Sequence, residues 1–202
     1  MINLCLILSI VAVGLSNAAP AGFGGFCITG DCRSCPNAST PTQFPFDETK
    51  YAGVWYVHAR LPGFFAPYDS DLTCENATYT IQNGTTNVNI FNQGFKTSNK
   101  ETKSISGVAV VTDPVKDPSK LSLTLKGFPF AVPYWIMATD YETYALSYGC
   151  SSYPLLGRQE EAFIMSRNKS PMDKDVVAKL TNLLKTRAGV DVTKLVAEKQ
   201  DC

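Results

Sequence analysis

A mainly β protein closed by a single amphipathic helix is what this sequence predicts, and three observations carry the reading. From Phe46 to Arg167, short runs rich in β-branched and aromatic residues recur at nearly regular spacing. Glycine-, asparagine- and proline-containing turn signals separate them. Beyond Arg167 the apolar residues fall on one helical stripe. On these residues alone, the succession of short strands fits a sandwich or an up-and-down barrel.

Taken in order, Ile2 to Leu15 is almost wholly apolar, short for a membrane span, and runs into small residues at Ala18, Ala19 and Ala21. We read residues 1–19 as a signal peptide, so the mature protein is expected to be secreted. Residues 20–45 form a Cys/Gly/Pro-rich leader, and 46–202 the domain itself. The strand runs are Val54 to Arg60, Cys74 to Ile81, Val88 to Asn92, Ser104 to Val111, Leu121 to Leu125, Tyr134 to Thr139, Tyr144 to Gly149 and Glu161 to Arg167. Asn83-Gly84, Asn92-Gln93-Gly94 and Asp113-Pro114 supply turns. The helix is expected to be capped by Ser170, with Pro171 in its first turn. Met172, Val176, Leu180, Leu183 and Leu184 form its apolar stripe, and Gly189 ends it. Having one face to bury, it should lie outside the strands.

Eighteen basic and eighteen acidic residues cancel, which leaves no net field to attract nucleic acid or an anionic membrane. Of seven cysteines, Cys5 falls in the signal. The remaining Cys27, Cys32, Cys35, Cys74, Cys150 and Cys202 are an even number in an exported chain, which favours disulfides over a metal or redox use of Cys32-Arg33-Ser34-Cys35. Sequons at Asn37, Asn76 and Asn83 agree with export and glycosylation. The single histidine, His58, offers no metal pair, and no nucleophile-elbow or phosphate-loop motif is visible, so no catalytic residue and no metal are assigned and an enzyme is not expected.

Tyr51-Ala52-Gly53-Val54-Trp55-Tyr56 contains a Gly-x-Trp pattern, Thr139-Asp140-Tyr141 follows Pro133-Tyr134-Trp135 late in the strand region, and Arg167 stands just before the helix. In this order and context the sequence resembles the lipocalin family, over nearly everything from Cys35 to Cys202. The similarity is to its apolipoprotein D-like branch, with bilin-binding proteins and crustacyanins as relatives. The resemblance implies an eight-stranded antiparallel up-and-down barrel with the helix packed outside, and a cavity for one small ligand. It implies a barrel floor made of Gly53, Trp55, Thr139, Asp140, Tyr141 and Arg167, the guanidinium stacking on the indole. It also implies disulfides Cys35–Cys150 and Cys74–Cys202, with Cys27–Cys32 as the remaining pair.

Strand parity counted from the floor places Phe163 and Met165 inward, with Val57, Ala59, Val88, Ile90 and Asn92. Tyr79, Tyr144 and Tyr148 complete an apolar, aromatic lining with a few polar groups, as a hydrophobic ligand with a polar end requires. The expected function is therefore extracellular binding and transport of a retinoid, fatty acid, sterol, bilin or carotenoid, with no required cofactor. The alternative is a pigment-carrying subunit of a coloured assembly. Phe64, Phe65, Phe128 and Phe130, in two proline-bounded loops opposite Trp55, fold over the cavity as a lid or form an apolar rim for lipid surfaces or a second copy.

Overall fold

The computed structural model describes residues 33–37, 39–63, 71–153 and 157–202. Residues 1–19, read above as a signal peptide, and Cys27, Cys32, Phe64 and Phe65 lie outside the described residues. A one-turn helix α1 (Glu48–Tyr51) leads into β1 (Gly53–Leu61), β2 (Leu72–Ile81), β3 (Asn87–Lys96), β4 (Glu101–Asp113), β5 (Asp117–Leu125), β6 (Ala131–Thr139), β7 (Tyr144–Tyr153) and β8 (Gly157–Ser166). Then come α2 (Lys174–Leu183), a π-helical turn (Leu184–Ala188), a 3-10 turn (Val192–Lys194) and a two-residue β9 (Val196–Ala197). Each strand from β2 to β8 pairs antiparallel with the next, and β1 closes the barrel by pairing with both β2 and β8. The expected eight-stranded barrel is thus borne out, with β9 added on β1.

Two of the three expected turns form. At Asn83-Gly84 the Thr85 N–H returns to the Gln82 carbonyl. At Asp113-Pro114 the Asp113 carboxylate accepts the Val115 and Lys116 N–H groups. Asn92-Gln93-Gly94 is a correction: it lies inside β3, whose pairing with β4 runs unbroken to Lys96–Glu101. Gly94 serves close approach there, because a Cβ would sit 3.0 Å from the Glu75 side chain.

The helix start is a second correction. Asp173 caps α2, its carboxylate accepting the Asp175 and Val176 N–H groups. Ser170 stays outside because its own N–H is held by the Asn168 side chain. Leu180 and Leu184 are fully buried against the outer wall of the barrel, and Met172, Val176 and Leu183 pack on the same cluster. Gly189 closes the turn after Ala188 with a left-handed backbone. Among the described residues, no helix is long and apolar enough to cross a membrane.

Two hydrophobic clusters result. One fills the barrel around Tyr51, Trp55, Tyr79, Ile90, Tyr134 and Met165. The other lies between the outer wall and α2, around Leu146, Tyr148, Ile164 and Leu180. Cys35–Cys150 ties the leader to β7, and Cys74–Cys202 ties the end of the chain to β2.

A register shift in β1 between Val57 and Ala59 decides what that strand shows the interior. His58 is the extra residue of a bulge. Beyond it Ala59 and Leu61 join the outer cluster, while Arg60 stands opposite the inward Phe163. The inward placement expected for Ala59 is therefore corrected, because one inserted residue reverses the parity.

Candidate functional site

The closed end of the barrel is built from the Gly-x-Trp segment, the turn after β6 and Arg167. Gly53 has φ +100°, and a Cβ there would lie 3.2 Å from Arg167 Nη1. Trp55 is completely buried and donates its Nε1–H to the Tyr51 carbonyl at 2.9 Å. The guanidinium of Arg167 stacks 3.8 Å above the indole. It donates to the carbonyls of Tyr141, Val54, Lys50 and Tyr51. Thr139 Oγ1 donates to the Tyr144 carbonyl and accepts the Tyr141 N–H, both at 2.8 Å. Asp140 accepts the N–H groups of Glu142, Thr143 and Tyr144 at 3.1, 2.8 and 2.9 Å. Its partial burial would raise the carboxyl pKa, but the hydrogen bonds from Thr143 and the backbone outweigh that and hold it below the ordinary range. The six floor residues therefore form one connected unit.

Above this floor is a cavity of about 630 Å³. Of the expected lining, Tyr79, Ile90, Asn92, Phe163 and Met165 stand on its wall, together with Val57. Tyr144 and Tyr148 do not, which is a further correction. Parity along β7 holds, since Tyr144, Leu146, Tyr148 and Cys150 share one face, but that face looks outward under α2. Tyr144 meets Lys179 of α2 at 3.3 Å. The Tyr148 hydroxyl donates to Glu160 and accepts from Arg158, whose Nη2 also reaches the Ala188 carbonyl at the helix end. The inward face of β7 carries Ala145 and Ser147 instead, both with no exposed surface.

Several wall residues escaped the sequence reading. Tyr134 points in while its neighbour Trp135 packs outside. Two adjacent aromatics carry no sequence signal that says which is which. Glu161 follows from the parity of Phe163, so its presence on the wall was open to inference. Arg60, which the bulge turns toward the inner face without placing it on the cavity lining, also escaped. Its Nε lies 3.1 Å from Glu75, a wall residue, and 2.5 Å from Glu198 of the terminal segment. The hydroxyls of Tyr79 and Tyr134 meet at 2.5 Å inside the barrel. Burial, reinforced by nearby phenols for Tyr79 and by Glu161 for Tyr134, raises both pKa values, that of Tyr134 to about 12.

At the open end, Phe128 turns inward onto the cavity. Phe130 remains 38% exposed, with its ring edge-on to Phe128 and Tyr153. The terminal segment completes the wall where β1 and β2 part. Their pairing covers only Gly53–Tyr56. Further up, β9 pairs with Ala59 and Arg60, the Lys199 carbonyl accepts the Cys74 N–H, and the Gln200 amide donates to the Val57 and Glu75 carbonyls. Of the sequon asparagines, Asn37 and Asn83 are exposed and Asn76 is half-buried in β2. Among the described residues, no cluster of side chains is arranged to hold a metal ion.

Comparison with known proteins agrees with this geometry. A family model described as a lipocalin-like domain matches residues 46–200. Apolipoprotein D of Macaca fascicularis is 34% identical over all of this chain and 98% of its own length. Lobster apocrustacyanin A1 superimposes with a TM-score of 0.63 at 28% identity, covering 76% of this chain and 79% of that one. Insecticyanin of Manduca sexta shares the fold with a TM-score of 0.64 at 20% identity, covering 87% and 89%.

Proposed function

The chain belongs to the lipocalin family, and from that premise we propose that it binds a small hydrophobic molecule in the barrel cavity and carries it outside the cell. The observation that carries the proposal is the cavity of about 630 Å³. It falls in the range of ligand sites, about 300–1,000 Å³, and combines apolar and aromatic walls with several polar and charged groups, among them Glu75, Lys96, Lys103 and Glu161. Burying a few hundred Å² of apolar ligand surface supplies roughly 5–10 kcal/mol before association costs, which suffices without a covalent bond. The macaque relative's name, an apolipoprotein, supports a lipidic occupant. The aromatic walls also suit a flat conjugated system, which supports the pigment-carrying alternative.

Secretion follows the reading of residues 1–19 as a signal peptide and is supported by the disulfides Cys35–Cys150 and Cys74–Cys202. The rim belongs to the same proposal, with Phe130 as its described apolar contact for a lipid surface or a second copy.

Protein purified from its source, examined by visible absorption and by mass spectrometry of an organic extract, tests the function. A stoichiometric lipid or chromophore supports it, and colour separates the pigment role from colourless transport. A protein that carries nothing and, when delipidated, quenches its tryptophan emission with no retinoid, fatty acid, bilin or carotenoid is not a transporter.

A further inference from the structure

We infer that the outer face of the barrel across β2, β3, β4 and β5 is the bed of an N-linked glycan carried by Asn83. The site is independent of the cavity, and it rests on the reading of the chain as secreted, because sequons are used in exported proteins. Strand pairing fixes which side chains share this face. Phe91 lies between Thr78 and Ser106, Asn89 between Thr80 and Val108, and Asn87 beside Val110. The residues alternating with them, Val88, Ile90 and Ala109, belong to the interior cluster, so this set points outward. None of the outward set is charged, although the chain holds eighteen basic and eighteen acidic residues. Phe91 and Val110 are 41% and 43% exposed, with Val108 half-buried between them.

An exposed apolar ridge in an uncharged surround is the mark of a surface that something covers. Asn83 stands where a cover can start. Its sequon Asn83-Gly84-Thr85 occupies the exposed turn between β2 and β3, at the end of the face where Asn87 and Val110 stand. Gly84 takes the left-handed backbone of that turn, φ +75°, and has open space around it. The Gln82 amide lies back across β3, donating to the Asn89 side chain and accepting from that of Asn87, so Asn83 is left at the tip.

The chemistry of the face suits sugar. Amides and hydroxyls of Asn87, Asn89, Thr80 and Thr78 offer both donors and acceptors to sugar hydroxyls. Sugar C–H groups are attracted to the negative face of the Phe91 ring. A second copy of the chain fits less well. Four strands ~4.8 Å apart, over seven residues of ~3.3 Å, give roughly 400 Å², half of the ~800 Å² per partner of a stable interface. A lipid surface would strip water from the same amides without replacing their hydrogen bonds.

Protein secreted by eukaryotic cells, studied as its monomeric fraction by glycopeptide mass spectrometry and hydroxyl-radical footprinting, tests the inference. The expected result is a glycan at Asn83 and, in Asn83→Gln, a severalfold rise in oxidation of Phe91. Phe44, 66% exposed in the leader, is the internal reference and should not change. Asn37→Gln, which removes a sequon in the leader, should leave Phe91 protected, and an unchanged far-UV circular dichroism spectrum checks that each variant is folded. A bare Asn83 overturns the inference, and so does a glycan whose removal leaves Phe91 oxidation unaltered. Protection of Phe91 that appears only in a dimeric fraction of the glycosylated protein assigns the face to a second copy and overturns it too. Bare asparagines at 37, 76 and 83 together would remove the inference along with the secretion reading, while ligand binding is measured separately and is untouched by each of these outcomes.

Discussion

Arg167 lies flat on Trp55, its guanidinium carbon 3.8 Å from the indole centroid, while its nitrogens donate to carbonyls of β1, α1 and the turn after β6. One planar cation thus joins the two ends of the strand sequence across the closed end of the barrel. Arg167→Met should lower unfolding stability by on the order of 2 kcal/mol, since it removes a stacked charge and leaves partly buried backbone carbonyls unpaired. Arg167→Lys should recover little, because a point charge cannot reproduce the fork. Urea midpoints of the oxidised protein measure both, and an unshifted midpoint in the Met variant would sink the assignment.

Phe163 and Tyr148 stand on opposite faces of the barrel wall, one on the cavity and one under α2. Phe163→Ala should weaken ligand binding by ~10-fold or more with little change in fold, because the removed ring borders an existing space. Tyr148→Phe should leave affinity unchanged and cost about 1–2 kcal/mol of stability, since it strips a partner from the buried Arg158–Glu160 pair. Reversed effects in titration and denaturation would place the two rings wrongly.

Phe128 lines the cavity and Phe130 stands exposed at its edge, so on the proposed function the first acts as lid and the second as rim. Phe128→Ser should lower ligand affinity and speed release, measured by stopped-flow competition. Phe130→Ser should leave affinity intact and reduce association with liposomes or with a second copy, read by flotation and sedimentation. Identical behaviour of the two variants would contradict this division.

Asp140 links stability to acid. Its folded pKa lies below the ordinary range, so its contribution is full above about pH 4, the unfolded value, and is lost as pH falls through the lower folded pKa. The melting-temperature gap between wild type and Asp140→Asn should be widest near neutrality and close as pH falls through the lowered folded pKa. A gap that persists at low pH would show that the carboxylate's charge is not what locks the turn.

The terminal segment closes the seam between β1 and β2 behind the cavity, through Glu198 and Gln200. Replacing Cys74 and Cys202 together by Ser should cost roughly 2–5 kcal/mol and, by loosening that seam, raise the ligand off-rate. Hydrogen exchange confined to the terminal residues and the middle of β1 and β2 would locate the opening. An unchanged off-rate with lowered stability would mean that the bridge holds the fold without guarding the cavity.

By itself the sequence determined the order of eight strands and a helix, since period-two runs, turn residues and an amphipathic stripe are local properties. It determined the floor as well, because Gly53, Trp55, Thr139, Asp140, Tyr141 and Arg167 form a motif recognisable by type and order. Tertiary structure decided which side of each strand is the inside. Alternation in β7 grouped Tyr144, Leu146 and Tyr148 correctly but could not say which way they face, because α2 buries the outer face as thoroughly as the barrel buries the inner one. In β1, His58 enters a bulge whose existence depends on pairing with β8, over a hundred residues away in the chain. That one residue exchanges Ala59 for Arg60 on the inner wall. The meeting of Tyr51, Tyr79 and Tyr134 inside the barrel arises in the same way, from α1, β2 and β6 brought together only when the barrel closes. Parity is local, but polarity and convergence are set by partners distant in sequence.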